Sequence, residues 1–179
     1  MQPAEIAPKA LRRNLELKAR CADLAAAREA VRRLGAAPGG LELQVDTYFI
    51  VPKGRLKLRE IPGQPAVLIW YDRPNQDGVR ASGYYLVPIP HPSTLKAALS
   101  AALRVRGEVH KRREIYLWHN VRIHLDDVAG LGSFLELEAV LSPTEDEAMS
   151  SARLEPLCRA LAIETADTQA ASYADLLGL

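Results

Sequence analysis

Alternation with one charged face is the feature that most limits what this chain can fold into. Residues two apart on a strand share a face. Over 13–21, Glu16 and Lys18 stand opposite Leu15 and Leu17; over 55–61, Arg55, Lys57 and Arg59 stand opposite Leu56 and Leu58. The pattern returns with Arg73 beside Tyr71 in 67–73, with Lys111 and Arg113 in 109–118, and with Arg122, His124 and Asp126 in 121–126. It closes with Glu136 and Glu138 in 133–141, opposite Leu135 and Leu137. Two further runs, 41–51 and 79–89, are strand-like and bounded by turn signals. Connections between these eight segments are mostly short, so neighbours are expected to be mostly antiparallel. Helices are expected over 24–34 behind an Asp23 cap, and over 93–105 with Leu95, Leu99 and Leu103 on one side. A third is expected from the cap-like Ser142-Pro143-Thr144-Glu145 to about 161, and a short one near 170–177.

For any one strand, the ordinary reading is a sheet that is wet on one side. Eight together read differently. Eight antiparallel strands close well into a barrel, and three helices must cover apolar surface somewhere. With helices outside, the fold is α+β: a closed eight-stranded antiparallel barrel with its charged faces turned into the lumen. That lumen would hold eight cations (Lys18, Arg55, Lys57, Arg59, Arg73, Lys111, Arg113, Arg122) and four acids (Glu16, Asp126, Glu136, Glu138). Burying such an excess of positive charge without a ligand is costly. A hydrated tunnel holding a polyanion relieves it, and the carboxylates suit Mg²⁺ or Mn²⁺ bridging the anion's oxygens. A triphosphate, with roughly four negative charges, meets both conditions.

Composition sets the outer limits. The 179 residues fit one domain, 1–179, with a core of about 13–178. Lys and Arg total 23 against 22 for Asp and Glu, a net charge of +1, which argues against nucleic acid as a partner. The longest apolar run, near 66–71, is far short of the ~20 residues that span a bilayer. The first nine residues contain prolines and a glutamate and lack the apolar core of a signal peptide. Cys21 and Cys158 form no CxxC, and reduced thiols in the cytoplasm are the default expectation. A homodimer is only the base-rate expectation.

Four segments in order are specific as a set. They are Asn14-Leu15-Glu16-Leu17-Lys18; Gln44-Val45-Asp46-Thr47-Tyr48-Phe49 with Gly54-Arg55-Leu56-Lys57-Leu58-Arg59; Val121-Arg122-Ile123-His124-Leu125-Asp126; and Leu131-Gly132-Ser133-Phe134-Leu135-Glu136-Leu137-Glu138. With them the chain resembles the CYTH superfamily of triphosphate tunnel proteins, and within it the class IV adenylate cyclase branch. Ser172-Tyr173 is similar to the family's closing segment. The resemblance implies that Glu16, Asp126, Glu136 and Glu138 hold a divalent metal. It implies that Lys18, Arg55, Lys57, Arg73, Lys111 and Arg122 bind phosphate oxygens, with Arg59 and Arg113 as weaker members because strand ends turn side chains to solvent. Catalysis would fall to Glu16, Lys18, Asp126, Glu136 and Glu138. One departure stands out: the family signature begins Glu-x-Glu-x-Lys, and here the first position is Asn14, one negative charge fewer.

The expected activity is conversion of ATP to cyclic AMP and pyrophosphate. Hydrolysis of an inorganic or organic triphosphate, such as tripolyphosphate or thiamine triphosphate, is the alternative. A non-catalytic polyphosphate- or nucleotide-binding module is the third reading. His124 is expected to make a structural hydrogen bond, Asp46 to orient a neighbouring cation, and Trp70, Tyr71 and Trp118 to pack rather than stack on a base.

Overall fold

In the computed structural model, residues 11–179 are described; the N-terminal stretch weighed above as a signal peptide lies outside them. The chain runs β1 (Arg12–Arg20), α1 (Leu24–Arg33), β2 (Ala37–Phe49), β3 (Arg55–Glu60), β4 (Ala66–Asp72), β5 (Arg80–Ile89), α2 (Pro92–Ala102), β6 (Val105–Trp118), β7 (Val121–Val128), β8 (Gly132–Val140), α3 (Glu147–Ala160) and α4 (Tyr173–Leu176). The eight strands close into an antiparallel barrel in the order β1-β5-β4-β3-β2-β6-β7-β8. The fold is therefore α+β, with helices packed outside a closed barrel.

The leucine faces of the strands point outward, and helices cover them. Leu15, Leu17, Ile123, Leu125, Leu135 and Leu137 are buried in one cluster with Val31 of α1 and Leu154 and Leu157 of α3. On the far side, Leu95, Leu99 and Leu103 pack against Phe49, Leu58 and Ala66, as their spacing predicts. The main apolar cores thus lie outside the barrel, and the lumen takes most of the charged strand faces. A third cluster sits inside one end of the barrel, where Tyr48, Val109, Val128 and Phe134 meet Tyr173 and Ala174 of α4. The segment leading to α4 runs along β1, with an Ala19↔Thr168 bridge, and turns into the barrel end as a plug.

Three boundaries differ most from the sequence reading. β2 begins at Ala37, because Pro38-Gly39-Gly40 pairs with β6 across a bulge. A Cβ at Gly39 would meet the Ile115 side chain at 2.9 Å, so this close pairing needs glycine there. β6 begins at Val105, since the long β2 offers a partner strand that far. Finally, Ser142 caps no helix. Ser142 and Glu145 exchange backbone hydrogen bonds at 3.1 Å as a tight turn, and Asp146 caps α3 instead, accepting from the Met149 amide at 2.8 Å. Among the described residues, no helix is long and apolar enough to cross a membrane.

Candidate functional site

Strand register fixes which charges share a level of the lumen. Glu16 on β1 stands opposite Glu138 on β8, Lys18 opposite Glu136, Arg122 of β7 opposite Glu138, and His124 opposite Glu136. On the other side Asp46 of β2 stands opposite Arg59 of β3, and Tyr48 opposite Lys57. These side chains surround a cavity of about 340 Å³ lined by seven cationic side chains and four carboxylates. That volume falls within the range of small-molecule sites.

Of the residues expected in the lumen, Glu16, Lys18, Lys57, Arg59, Arg73, Lys111, Arg113, Arg122, Glu136 and Glu138 line this cavity. Arg59 and Arg113, expected to lean toward solvent, are held inside. Two residues are placed elsewhere. Arg55 lies past the Tyr173 plug, bonded to Asn75 at 2.7 Å and to Asp175 of α4 at 3.2 Å. Asp126 is fully buried behind Arg113, which donates to both its oxygens at 2.7 and 2.6 Å, while the Tyr173 hydroxyl donates to it at 2.8 Å.

Carboxylates around the lumen anchor its cations, and Asp46 and Asp126 are the fully buried ones. Asp46 accepts from Arg59 at 2.7 and 2.8 Å and from Lys57 at 2.9 Å. Burial alone would raise its pKa, but Arg59, Lys57 and Lys111 hold it well below the usual range. Asp126 behaves likewise, held down to about 2 against the same burial. Glu16 holds Arg73 at 2.8 Å and Arg80 at 3.2 Å. Burial pushes the Glu16 carboxyl up against the pull of Arg73, and repulsion from Glu136 and Glu138 adds to the rise.

Three donors also converge, although Arg113 already donates to Glu136 Oε2 and Arg122 pairs with Glu138 Oε2 at 2.8 Å. Ligand atoms of His124, Glu136 and Glu138 lie within 4.8 Å of one another. His124 Nδ1 is buried and has no hydrogen-bond partner; it faces Glu136 Oε2 at 3.8 Å and Glu138 Oε1 at 3.9 Å. Burial and the neighbouring Arg113 push the His124 pKa down, which favours the neutral ring, the form that ligates a metal. Two carboxylates and a neutral imidazole fit a divalent cation. His124 is expected to make a structural hydrogen bond, and its Nδ1 makes none. Asn14 Oδ1, also buried and unpartnered, offers a neutral oxygen to the same cavity.

The sequence reading missed the plug's part in the site. Arg80, at the start of β5, is fully buried and donates to the carbonyls of Gln76 and Gln169 at 3.0 Å each. Arg73 donates to Ala170 O at 2.8 Å, and Lys18 lies 3.8 Å above the Tyr173 ring. The carbonyls before α4 thus satisfy lumen cations. Alternation could have found Arg80, which is on the Ser82 and Tyr84 face of its strand; nothing local marks the carbonyls. Trp70 bonds Lys53 O at 3.1 Å and rests against Tyr85 on the outer surface, as expected of a packing residue. Trp118 also packs on an outer core, and Tyr71 packs against the cluster around Tyr173 while lining the cavity.

The profile of the CYTH domain family matches residues 12–173. A protein of Pyrococcus horikoshii is similar in structure, with a TM-score of 0.72 at 24% identity, over 91% of this chain and 98% of its own. An adenylate cyclase candidate from Vibrio parahaemolyticus gives 0.73 at 20%, over 96% and 100%. A Hippeastrum adenylyl cyclase candidate, described as having a dominant triphosphatase activity, gives 0.65 at 17%, over 92% and 95%. At these identities the likeness is one of fold. No curated protein matches the chain in sequence.

Proposed function

The chain belongs to the CYTH domain family, and from that premise we propose that it is a triphosphate tunnel enzyme that works with Mg²⁺ or Mn²⁺ on a small triphosphate. The observation that carries this reading is one cavity that joins a wall of cations to the His124, Glu136 and Glu138 cluster. Lys57, Arg59, Lys111, Arg113, Arg73 and Arg122 would bind the phosphate oxygens, and Lys18 would hold its charge near the plug. Glu136, Glu138 and His124 would hold the metal, with Glu16 on the same side of the barrel and Asn14 adding a neutral oxygen. An imidazole among the donors tilts the choice toward Mn²⁺ over Mg²⁺. When bound, the ion would screen the phosphate oxygens and lower the pKa of the attacking hydroxyl or water.

The chain's own residues do the rest. Asp46 and Asp126 lock Arg59 and Arg113 in place before substrate arrives, so little reorganisation is left for the reaction. Preorganised cations then stabilise the charge that develops on the leaving phosphate oxygens. In the cyclase reading, the ribose 3′-oxygen attacks the α-phosphorus, loses its proton, and pyrophosphate leaves. In the hydrolytic reading, water attacks the terminal phosphorus. The sequence segments favour the class IV cyclase branch; the Hippeastrum relative, described by its triphosphatase activity, favours the second.

The test is one incubation series: ATP, thiamine triphosphate or tripolyphosphate with Mg²⁺, Mn²⁺ or EDTA, and products separated by chromatography. Cyclic AMP with pyrophosphate establishes the cyclase. Orthophosphate from tripolyphosphate or thiamine triphosphate establishes the hydrolase. Tight binding of tripolyphosphate without turnover in any metal would leave a binding module and overturn the enzyme.

A further inference from the structure

The cavity has two chemically distinct parts, and the second is not needed to hold phosphate. Val67 and Ile69 on β4, Leu86 on β5, Ile61 past the end of β3 and Ile115 on β6 all line it. They stand next to the phosphate-binding wall. Register places Val67 opposite Arg59 and Ile69 opposite Lys57, with Leu86 opposite Ile69 on the next strand. The exposed Gln64, in the β3–β4 turn, lines the same part, so this end reaches solvent while Tyr173 closes the other. A bare polyphosphate would leave this apolar surface wet beside a row of satisfied cations.

A buried polar group stands beside the apolar part. Gln44 lines the cavity on the face of β2 that carries Asp46 and is only 2% exposed. Its Nε2 donates to the Glu42 carboxylate, which fixes how the amide is turned. Its Oε1 is then the atom left over: buried, without a partner, and able only to accept. Glu42 itself is half-buried in the same lining and can only accept while ionised. A buried carbonyl without a donor is costly in an empty site, and a ligand N–H would satisfy it.

We propose that Gln44 is the specificity-determining residue of this tunnel, and that the substrate carries on its triphosphate a flat, largely apolar ring with an amino group that donates to Gln44 Oε1. This rests on the triphosphate reading above and narrows it, from any triphosphate to an amino-bearing organic one. The apolar wall takes the ring, Gln44 takes one amino N–H, and the Glu42 carboxylate beside it is available to the second. Glu42 is a positioning residue, since it orients the amide.

Titration calorimetry with three probes tests this, in EDTA and again with Mn²⁺ at a temperature that suppresses turnover. The probes are ATP, inosine triphosphate (which has an oxygen where ATP has its amino group) and inorganic tripolyphosphate. The wild-type chain should bind ATP at least about fivefold more tightly than inosine triphosphate, and more tightly than tripolyphosphate. Gln44→Met, close in length and flexible enough to fill the space, should bring the ratio of ATP to inosine triphosphate down toward one. A wild-type ratio near one, or a ratio that survives Gln44→Met, overturns the assignment. The wild-type comparison needs no variant, so a misfolded substitution cannot shelter the proposal. If tripolyphosphate binds but ATP has no advantage over inosine triphosphate, this inference alone falls. If none of the three binds in either condition, the triphosphate reading falls with it.

Discussion

Lys111 shows how a single residue in the lumen can carry pH dependence. It is buried, and burial together with Arg113 lowers its pKa from 10.5 to about 7, although Asp126 and Asp46 oppose the shift. The sign follows from proton counting. Between about 7 and 10.5 the unfolded chain binds a proton at this lysine that the folded chain lacks. This group's contribution to stability therefore rises with pH across that window. An anion bound beside it raises its pKa again, so at pH 8 binding should draw in a proton. Calorimetry of tripolyphosphate binding in buffers of different ionisation enthalpy should show that uptake, and Lys111→Met should lose it. At pH 6 the lysine is already charged and the wild-type uptake from this site should vanish. Asp126 and Glu138 separate anchoring from metal binding in the same way. Asp126→Asn leaves Arg113 buried with its main partner weakened, and should cost about 3–5 kcal/mol in urea unfolding. The Mn²⁺ concentration for half-activity should stay near the wild-type value in that variant and rise in Glu138→Gln. The reverse pattern would return Asp126 to the metal set.

Among the elements, α4 is the shortest helix and closes one end of the tunnel. Ser172 and Asp175 form a reciprocal cap at its start. Asp175 also accepts from Arg106 at 2.7 Å and Arg55 at 3.2 Å, which ties the helix to both β6 and β3. Tyr173 fills the barrel end, with its ring 5.1 Å from Phe134 and its hydroxyl on Asp126. Tyr173→Ala should therefore cost about 3 kcal/mol or more, read as a lower urea midpoint. It should also weaken triphosphate binding, because Lys18 and Lys111 lose the ring they both face. A variant with unchanged stability would mean the plug is not docked in solution. The elements themselves were largely legible in the sequence, because a period of two with leucine opposite charge is a strong local signal. Their ends were less so. Cross-strand pairing lengthened β2 and β6 beyond their own local patterns, and a turn at Ser142 competed successfully with the helix cap that the same residues spell.

For the whole molecule, the important consequence is that folding turns the charged faces inward. The apolar cores sit between barrel and helices, so the barrel interior is free to hold ions, and every cation in the cavity lining has a carboxylate, carbonyl, hydroxyl or aromatic ring nearby. A ligand that replaces those partners should bind the folded chain and not the unfolded one. Tripolyphosphate at ~100 times its dissociation constant should then add about 2.7 kcal/mol of stability, seen as a rise in the thermal midpoint that shrinks with added salt. No rise at any concentration would argue against a polyanion site. The alternating sequence by itself determined the strands, the closed barrel and the identity of most lumen residues, because side-chain direction in a strand depends only on parity. It also carried the family's segments, which depend on residue type and order. It could not decide which carboxylates are closed off and which still face the cavity, since that depends on partners from strands far apart in the chain. Asp126 and Glu138 look alike in sequence, yet Arg113 and Tyr173 close Asp126 off from the cavity, while Glu138 pairs with Arg122 at 2.8 Å and still lines the cavity beside His124. Nor could it place Arg55 beyond the plug, or leave the oxygen of Gln44 without a partner. Those outcomes were set by closure of the barrel and docking of the C-terminal segment, which bring groups distant in the chain into contact.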